Sequence, residues 1–291
     1  MFKITKRLIL SQDVKRVEIF APVISRRAKP GQFVVVIPQE KSSWVPLAVV
    51  EADPSRGHIT LVFQERDEAT RHLGSIPINE SVFSVVGPLG NPATIEKFGT
   101  VICVTTDLGS PQMLPVCRAL KDKGNKVIGI LGAKSRRPLM LEPQIRMACH
   151  KMYITTEDGS FERRGVPTDV LKDLLEKEKV KLVYAIGAVE MMQAACAMTQ
   201  AKGIKTLIQV SSGIFCGMGI CGSCRIKVGG QTILACQKGP EFDGHKVNFD
   251  GLRTRMEAYR CLRESGQPEG LSETERLSQV VSKFFPGFLE K

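Results

Sequence analysis

Cys216-Gly217-Met218-Gly219-Ile220-Cys221-Gly222-Ser223-Cys224, closed by Cys236, has the spacing C-x4-C-x2-C-x11-C. Four thiolates within 21 residues, threaded with glycine, are able to converge on one soft metal centre. The spacing is that of a plant-type [2Fe–2S] cluster, with Cys216, Cys221, Cys224 and Cys236 as the expected ligands, two to each iron. Glycine suits such a loop, which needs positive φ, close backbone approach and N–H groups aimed at sulfur. Two other uses of cysteine compete. A zinc ribbon usually offers two C-x2-C knuckles about 15–20 residues apart, whereas only Cys221 and Cys224 form such a pair here. A disulfide framework needs an oxidising compartment, which nothing in the chain suggests.

The 291 residues are enough for two or three domains with real cores. Hydrophobic residues at 43% and charged ones at 24% are ordinary for a globular protein. The segment from Met1 to Arg7 leads into alternating residues rather than an apolar signal region. The longest apolar runs, Phe33–Ile37 and Val127–Leu131, are strand-sized and too short to span a bilayer. A cytoplasmic protein with no membrane span is the expectation. The net charge of +11 is spread along the chain without a nucleic-acid motif. It reads as a solvated surface or as a docking charge for an acidic partner subunit, not as nucleic-acid binding. Cys103 and Cys117 fall in apolar patterns and read as small buried hydrophobes.

Taken in order, residues 1–98 read as an antiparallel β-barrel. Apolar runs recur at Phe2–Leu10, Val14–Phe20, Gln32–Ile37, Leu47–Glu51, His58–Phe63 and Ser81–Val86, with turn signals between them. Ile59, Leu61 and Phe63 alternate as in a half-buried strand. Six short strands without a long helix predict closure. Residues 99–210 change period. Strands are predicted at Val101–Val104, Val127–Leu131, Met152–Thr155, Leu182–Ile186 and Thr206–Val210. Helices between them begin at Ser110-Pro111, follow Pro167-Thr168, and run over Val189–Gln200. That alternation predicts a doubly wound parallel sheet. Its ligands are expected beyond the carboxyl ends of the strands, at Thr105–Gly109, Gly132-Ala133, Thr156–Gly159 and Gly187–Glu190. Residues 211–250 form the cysteine module, where Arg225–Val228 and Gln231–Leu234 pair through Gly229-Gly230 as a hairpin. Residues 251–291 are a helical tail, with a capping box at Ser272 and Glu275 and an apolar stripe from Leu277 to Phe285. The stripe fits a helix packed on its own chain or one docked on a partner.

Barrel, doubly wound sheet and C-terminal cysteine module follow in the order of the ferredoxin-reductase-like iron–sulfur flavoproteins. The chain resembles the electron-transfer subunit family of dihydroorotate dehydrogenase B and the small subunit of NADH-dependent ferredoxin:NADP oxidoreductase. The resembling residues are Gly87-Pro88-Leu89-Gly90-Asn91-Pro92, Ile186-Gly187-Ala188-Val189-Glu190-Met191-Met192, the four-cysteine spacing, and Gly239-Pro240-Glu241-Phe242-Asp243-Gly244-His245. The resemblance implies FAD on the barrel, a nicotinamide nucleotide, NAD(P)H, on the sheet domain, and a cluster serving a catalytic partner subunit. Carried over residue by residue, the first flavin motif, R-x-P-x-[S/T], becomes Trp44-Val45-Pro46-Leu47-Ala48, keeping proline and losing the cation and the hydroxyl. The second becomes Arg66-Asp67-Glu68-Ala69-Thr70, where two carboxylates stand in the place of an anion. The glycine-rich nucleotide turn becomes Thr105-Thr106-Asp107-Leu108-Gly109-Ser110-Pro111, keeping Gly109. The expected flavin and nucleotide contacts are thus Pro46, Leu47, Ala48, Phe63, Thr70 and Gly109, with FAD held through backbone groups and packing. The altered turn favours a nucleotide pocket kept for its fold over NAD(P)H binding.

No side chain here has the look of a general acid or base. The functional expectation is an electron-transfer subunit passing electrons between a flavin and a partner through the cluster. The alternatives are an adaptor subunit whose FAD and NAD(P) sites are both lost, and a zinc-stabilised interaction protein. His245, in a turn beside Gly244, reads as structural, since four cysteines suffice for the cluster.

Overall fold

The computed structural model describes residues 2–40, 42–106, 109–137, 139–211 and 213–264, without the side chains of 258–264. The capping box at Ser272 and the stripe that follows it lie outside the described residues.

The N-terminal unit holds β1 (Phe2–Ser11), β2 (Val14–Phe20), α1 (Pro22–Arg27), β3 (Phe33–Ile37), β4 (Val45–Ala48), β5 (Glu51–Asp53), β6 (His58–Gln64), α2 (Glu68–Ser75), β7 (Ser81–Val82) and β8 (Ser84–Leu89). The strands form two antiparallel sheets, in the orders β5-β6-β2-β1-β7 and β4-β3-β8. Six expected strands are therefore eight. The run at Leu47–Glu51 is split between β4 and β5, and the run at Ser81–Val86 between β7 and β8, because the chain crosses from one sheet to the other at each place. A shared core lies between them, with Ile4, Val17, Ile19, Val34, Val36, Ile59, Leu61 and Phe63 facing inward.

Two short helices went unread in the sequence, and the second has a clear cause. Asp67 Oδ1 accepts the Thr70 N–H at 2.9 Å and the Thr70 hydroxyl at 2.7 Å, while Thr70 Oγ1 accepts the Asp67 N–H at 3.0 Å. This is a capping box. Asp67, read in sequence as a charge opposing an anion, is a helix cap. Asp67→Ala is expected to cost about 1 kcal/mol, measured as a lowered midpoint in thermal or urea unfolding.

The central unit holds β9 (Thr100–Thr106), α3 (Ser110–Asp122), β10 (Lys126–Ala133), α4 (Glu142–Ala148), β11 (Lys151–Thr156), β12 (Arg163–Arg164), α5 (Pro167–Lys177), β13 (Val180–Ile186), α6 (Val189–Gln200) and β14 (Lys205–Gln209). Its sheet runs β12-β11-β10-β9-β13-β14-β17, parallel throughout except at the last edge. Alternation along β9 divides the packing. Val101 and Cys103 join a core with α3 and α4, and Ile102 and Val104 join one with α5 and α6. Cys103 and Cys117 are both fully buried there.

The last segment holds β15 (Arg225–Val228), β16 (Gln231–Leu234), α7 (Ala235–Lys238), β17 (Glu241–Asp243), a 3-10 turn at Gly244–Lys246 and α8 (Phe249–Glu264). β17 was not expected. It pairs antiparallel with β14, so the chain leaving the cysteine loop becomes the edge of the central sheet. Among the described residues no helix is long and apolar enough to cross a membrane.

Candidate iron–sulfur and flavin site

The loop from Gly213 to Cys224 is built around sulfur. Gly217, Gly219 and Gly222 have φ of +71°, +82° and +65°. At Gly217 space adds to backbone strain, since a Cβ would press on Leu89, Val35 and Phe33 of the N-terminal unit. The loop is therefore seated directly on β3 and β8.

The four cysteines come as two pairs. Cys216 and Cys221 lie with Sγ atoms 3.2 Å apart, and the Cys221 N–H points at Cys216 Sγ at 3.5 Å. Cys236, on the one-turn helix after the hairpin, donates its N–H to Cys224 Sγ at 3.4 Å. The hairpin end is held to the loop by the Ala235 N–H, which donates to the Cys224 carbonyl at 2.9 Å. Cys221 is exposed, while Cys216, Cys224 and Cys236 are buried. Ser223 Oγ lies 2.9 Å from Cys221 Sγ and donates to the Gly213 carbonyl at 2.7 Å. Among the described residues, no three His, Cys, Asp or Glu side chains gather tightly enough to hold a single ion.

Electrostatics divides the thiols. Burial works against ionisation of Cys216, but N–H groups of Cys221, Met218 and Ile220 and the neighbouring Cys221 thiol bring it down to about 7. Burial pushes Cys236 up to about 12, with the adjacent Cys224 sulfur adding to it and the Gly219 N–H opposing it. The loop thus supplies the N–H donors that a thiolate needs.

A small cleft of about 30 Å³ opens beside this loop. One wall is Gly31, Phe33 and Pro46 to Ala48, from β3, β4 and the turn before them. The other is Gln112 of α3, Gln209 of β14, Ser211, Ile214 and Pro240. Ile214 lies two residues before Cys216, so cleft and cysteine loop share a wall. Gln209 donates to the Gly31 carbonyl at 2.6 Å, while its Oε1 is buried without a partner.

Of the expected flavin and nucleotide contacts, Pro46, Leu47 and Ala48 meet in this cleft. Phe63 points into the core of the N-terminal unit, Thr70 is spent on the Asp67 cap, and Gly109 is packed at the start of α3. Sequence reading missed the second wall, which the chain assembles from three distant segments. His245, read in sequence as structural, has Nε2 3.0 Å from the Thr199 hydroxyl.

Glu241 ties the units together. Its carboxylate accepts the Tyr184 hydroxyl at 2.6 Å and the Thr94 N–H at 3.0 Å, and takes the Thr94 hydroxyl as well.

Comparison with known proteins gives the chain its relatives. Residues 212–248 match the iron-sulfur cluster binding domain of dihydroorotate dehydrogenase B. A Thermotoga maritima protein named as a homolog of the dihydroorotate dehydrogenase B (NAD(+)) electron transfer subunit is 33% identical, over 89% of this chain and 91% of that protein. A chain from the structure of NADH-dependent reduced ferredoxin-NADP oxidoreductase, solved for insights into flavin-based electron bifurcation, superposes with a TM-score of 0.83. It is 30% identical, and 98% of each chain is covered. A ferredoxin NADP+ reductase from Neisseria gonorrhoeae, 14% identical with a TM-score of 0.57 over 69% of this chain and 90% of that one, shares the fold. The fold is ferredoxin-reductase-like, and the chain belongs to the family of the dihydroorotate dehydrogenase B electron transfer subunit and its homologues.

Proposed function

We propose that this protein is an electron-transfer subunit of a cytoplasmic multi-subunit oxidoreductase, moving electrons between a flavin and a catalytic partner subunit through a [2Fe–2S] cluster. In this reading residues 1–98 are a flavin-type barrel, 99–210 a doubly wound nucleotide-binding-like domain, 211–250 the cluster module and 251–291 a tail. The observation that carries it is the pairing of Cys216 with Cys221 and of Cys224 with Cys236 on a loop that shares a wall with the cleft. Two thiols per iron suit a dinuclear cluster, whereas a zinc site draws all four round one ion. The soft donor set and the N–H groups aimed at Cys216 fit the cluster.

In this reading the ring end of a flavin lies against the cleft wall beside the cysteine loop. Pro46 to Ala48 offer backbone groups and apolar surface along it. Nothing at Trp44 or Asp67 supplies the cation that a diphosphate would favour. When bound, the cluster supplies one-electron transfer and the flavin couples it to two-electron chemistry. The chain's own part is to hold the two next to each other and to present the exposed Cys221 edge to a partner. Trp44, Ala48 and the Asp67 cap favour a second reading, an iron–sulfur adaptor without flavin.

The test is anaerobic purification of the complex with metal, sulfide and flavin analysis. About two irons and two sulfides per chain are expected, with visible absorption and FAD released on denaturation. Zinc in place of iron would sink the cluster reading, and a brown complex without flavin would leave the adaptor.

A further inference from the structure

Cys236 stands on α7, a single helical turn that is anchored at both ends. At its start the Ala235 N–H donates to the Cys224 carbonyl. The last carbonyls of a helix have no partner within it, and here the N-terminal unit supplies one. Asn91, just beyond β8, donates its N–H to the Gly239 carbonyl at 2.7 Å and its Nδ2 to the Lys238 carbonyl at 3.0 Å. The side chain of Gln237 therefore starts from a fixed backbone.

That side chain reaches back to the cysteine loop, where Gln237 Nε2 donates to the Met218 carbonyl at 3.2 Å. It lies so close to Gly219 that a Cβ there would collide with the amide. The Met218 carbonyl and the Gly219 N–H belong to one planar trans peptide and point in opposite directions. Fixing the carbonyl fixes the N–H, and the Gly219 N–H is a donor that acts on the Cys236 sulfur. Gln237 is exposed and neutral, so its bond adds little to stability. Its consequence is orientation.

We propose that Gln237 is a positioning residue for the cluster, holding the Met218–Gly219 peptide so that its N–H faces Cys236, and that this grip raises the cluster's reduction potential. Reduction adds a negative charge, and an N–H aimed at a sulfur ligand favours the form that carries more of it. The inference rests on the cluster reading above.

The test is potentiometric titration of the full chain, purified anaerobically, as wild type and as Gln237→Met, which keeps the length of the side chain and removes the donor. Visible absorption follows the titration. The variant is expected to hold as much iron as the wild type and to be about threefold or more harder to reduce, tenfold being about 59 mV for one electron. Hydrogen–deuterium exchange over residues 217–220 is the second readout, with the Gly219 amide expected to exchange faster in the variant. An iron-loaded variant with an unmoved potential overturns the inference. If the variant takes up no iron, the cluster-free forms of both proteins decide it: faster exchange in the variant supports the grip, and equal rates overturn it. A wild type without iron sinks the cluster reading and this inference with it, whereas a loaded wild type beside an unmoved variant sinks the inference alone.

Discussion

Cys224→Ser is expected to remove most of the visible absorption of the anaerobically purified protein and to leave less than about a tenth of the iron, because a [2Fe–2S] cluster needs all four thiolates. Cys224 is the pivot of the loop. Its sulfur accepts the Cys236 N–H, and its carbonyl holds Ala235, so it fixes where the fourth thiol stands. A serine oxygen is shorter and harder than sulfur and is a poor match for iron in a sulfide core. No other described cysteine is placed to take over. Cys103, Cys117 and Cys149 belong to the core under α3 and α4, and Cys196 is buried on α6. Cys103→Ser is the control. It puts a hydroxyl into an apolar core at a cost of about 1–3 kcal/mol but is expected to keep the full spectrum. Iron analysis and absorption of the two variants decide it. Full colour in Cys224→Ser, or equal loss in both, would disprove the ligand assignment.

The contrast between those two cysteines was legible in the sequence because each lies in a local pattern. Cys103 sits in a continuous apolar run, and Cys224 in a glycine-spaced loop. The hairpin Arg225–Val228 and Gln231–Leu234 was readable to the residue for the same reason, since a two-glycine turn fixes its register. What sequence reading missed depends on distant partners. β17 is three residues long and forms against the open edge of β14. The second wall of the cleft draws on α3, the end of β14 and the cysteine loop. Asp67 was misread for a different reason. Its partner Thr70 was in view, but the carboxylate was weighed as a charge instead of as a hydrogen-bond acceptor. Likewise Thr105 and Thr106 were read as lost glycines, while their hydroxyls turn out to bridge two strands.

The second large effect is expected at Glu241, where that kind of long-range polar joint has the most to hold. Its carboxylate receives Thr94, which follows the N-terminal unit, and Tyr184, the largest fully buried side chain of the central sheet. Burial, and then the Glu241 carboxylate itself, hold the Tyr184 phenol well above its ordinary range, so it remains a donor throughout the working pH range. Glu241→Ala leaves the fully buried Tyr184 hydroxyl without its acceptor, while the half-buried Thr94 donors can turn to water, and is expected to cost about 2–3 kcal/mol. Tyr184→Phe removes one of these bonds and keeps Thr94 satisfied, so about 1–2 kcal/mol is expected. The two losses should not add, because both act on one hydrogen-bonded group. Urea unfolding of the two single variants and the double variant measures the coupling. Glu241 also lies on the strand that returns from the cysteine loop, and its neighbour Pro240 accepts the Val210 N–H. Glu241→Ala should therefore lower the temperature at which the visible spectrum bleaches, while Tyr184→Phe lowers it less. If Glu241→Ala unfolds within about 1 kcal/mol of the wild type, the carboxylate is not the joint between the three segments, and the loop must be held by the backbone pairing of β14 with β17 alone.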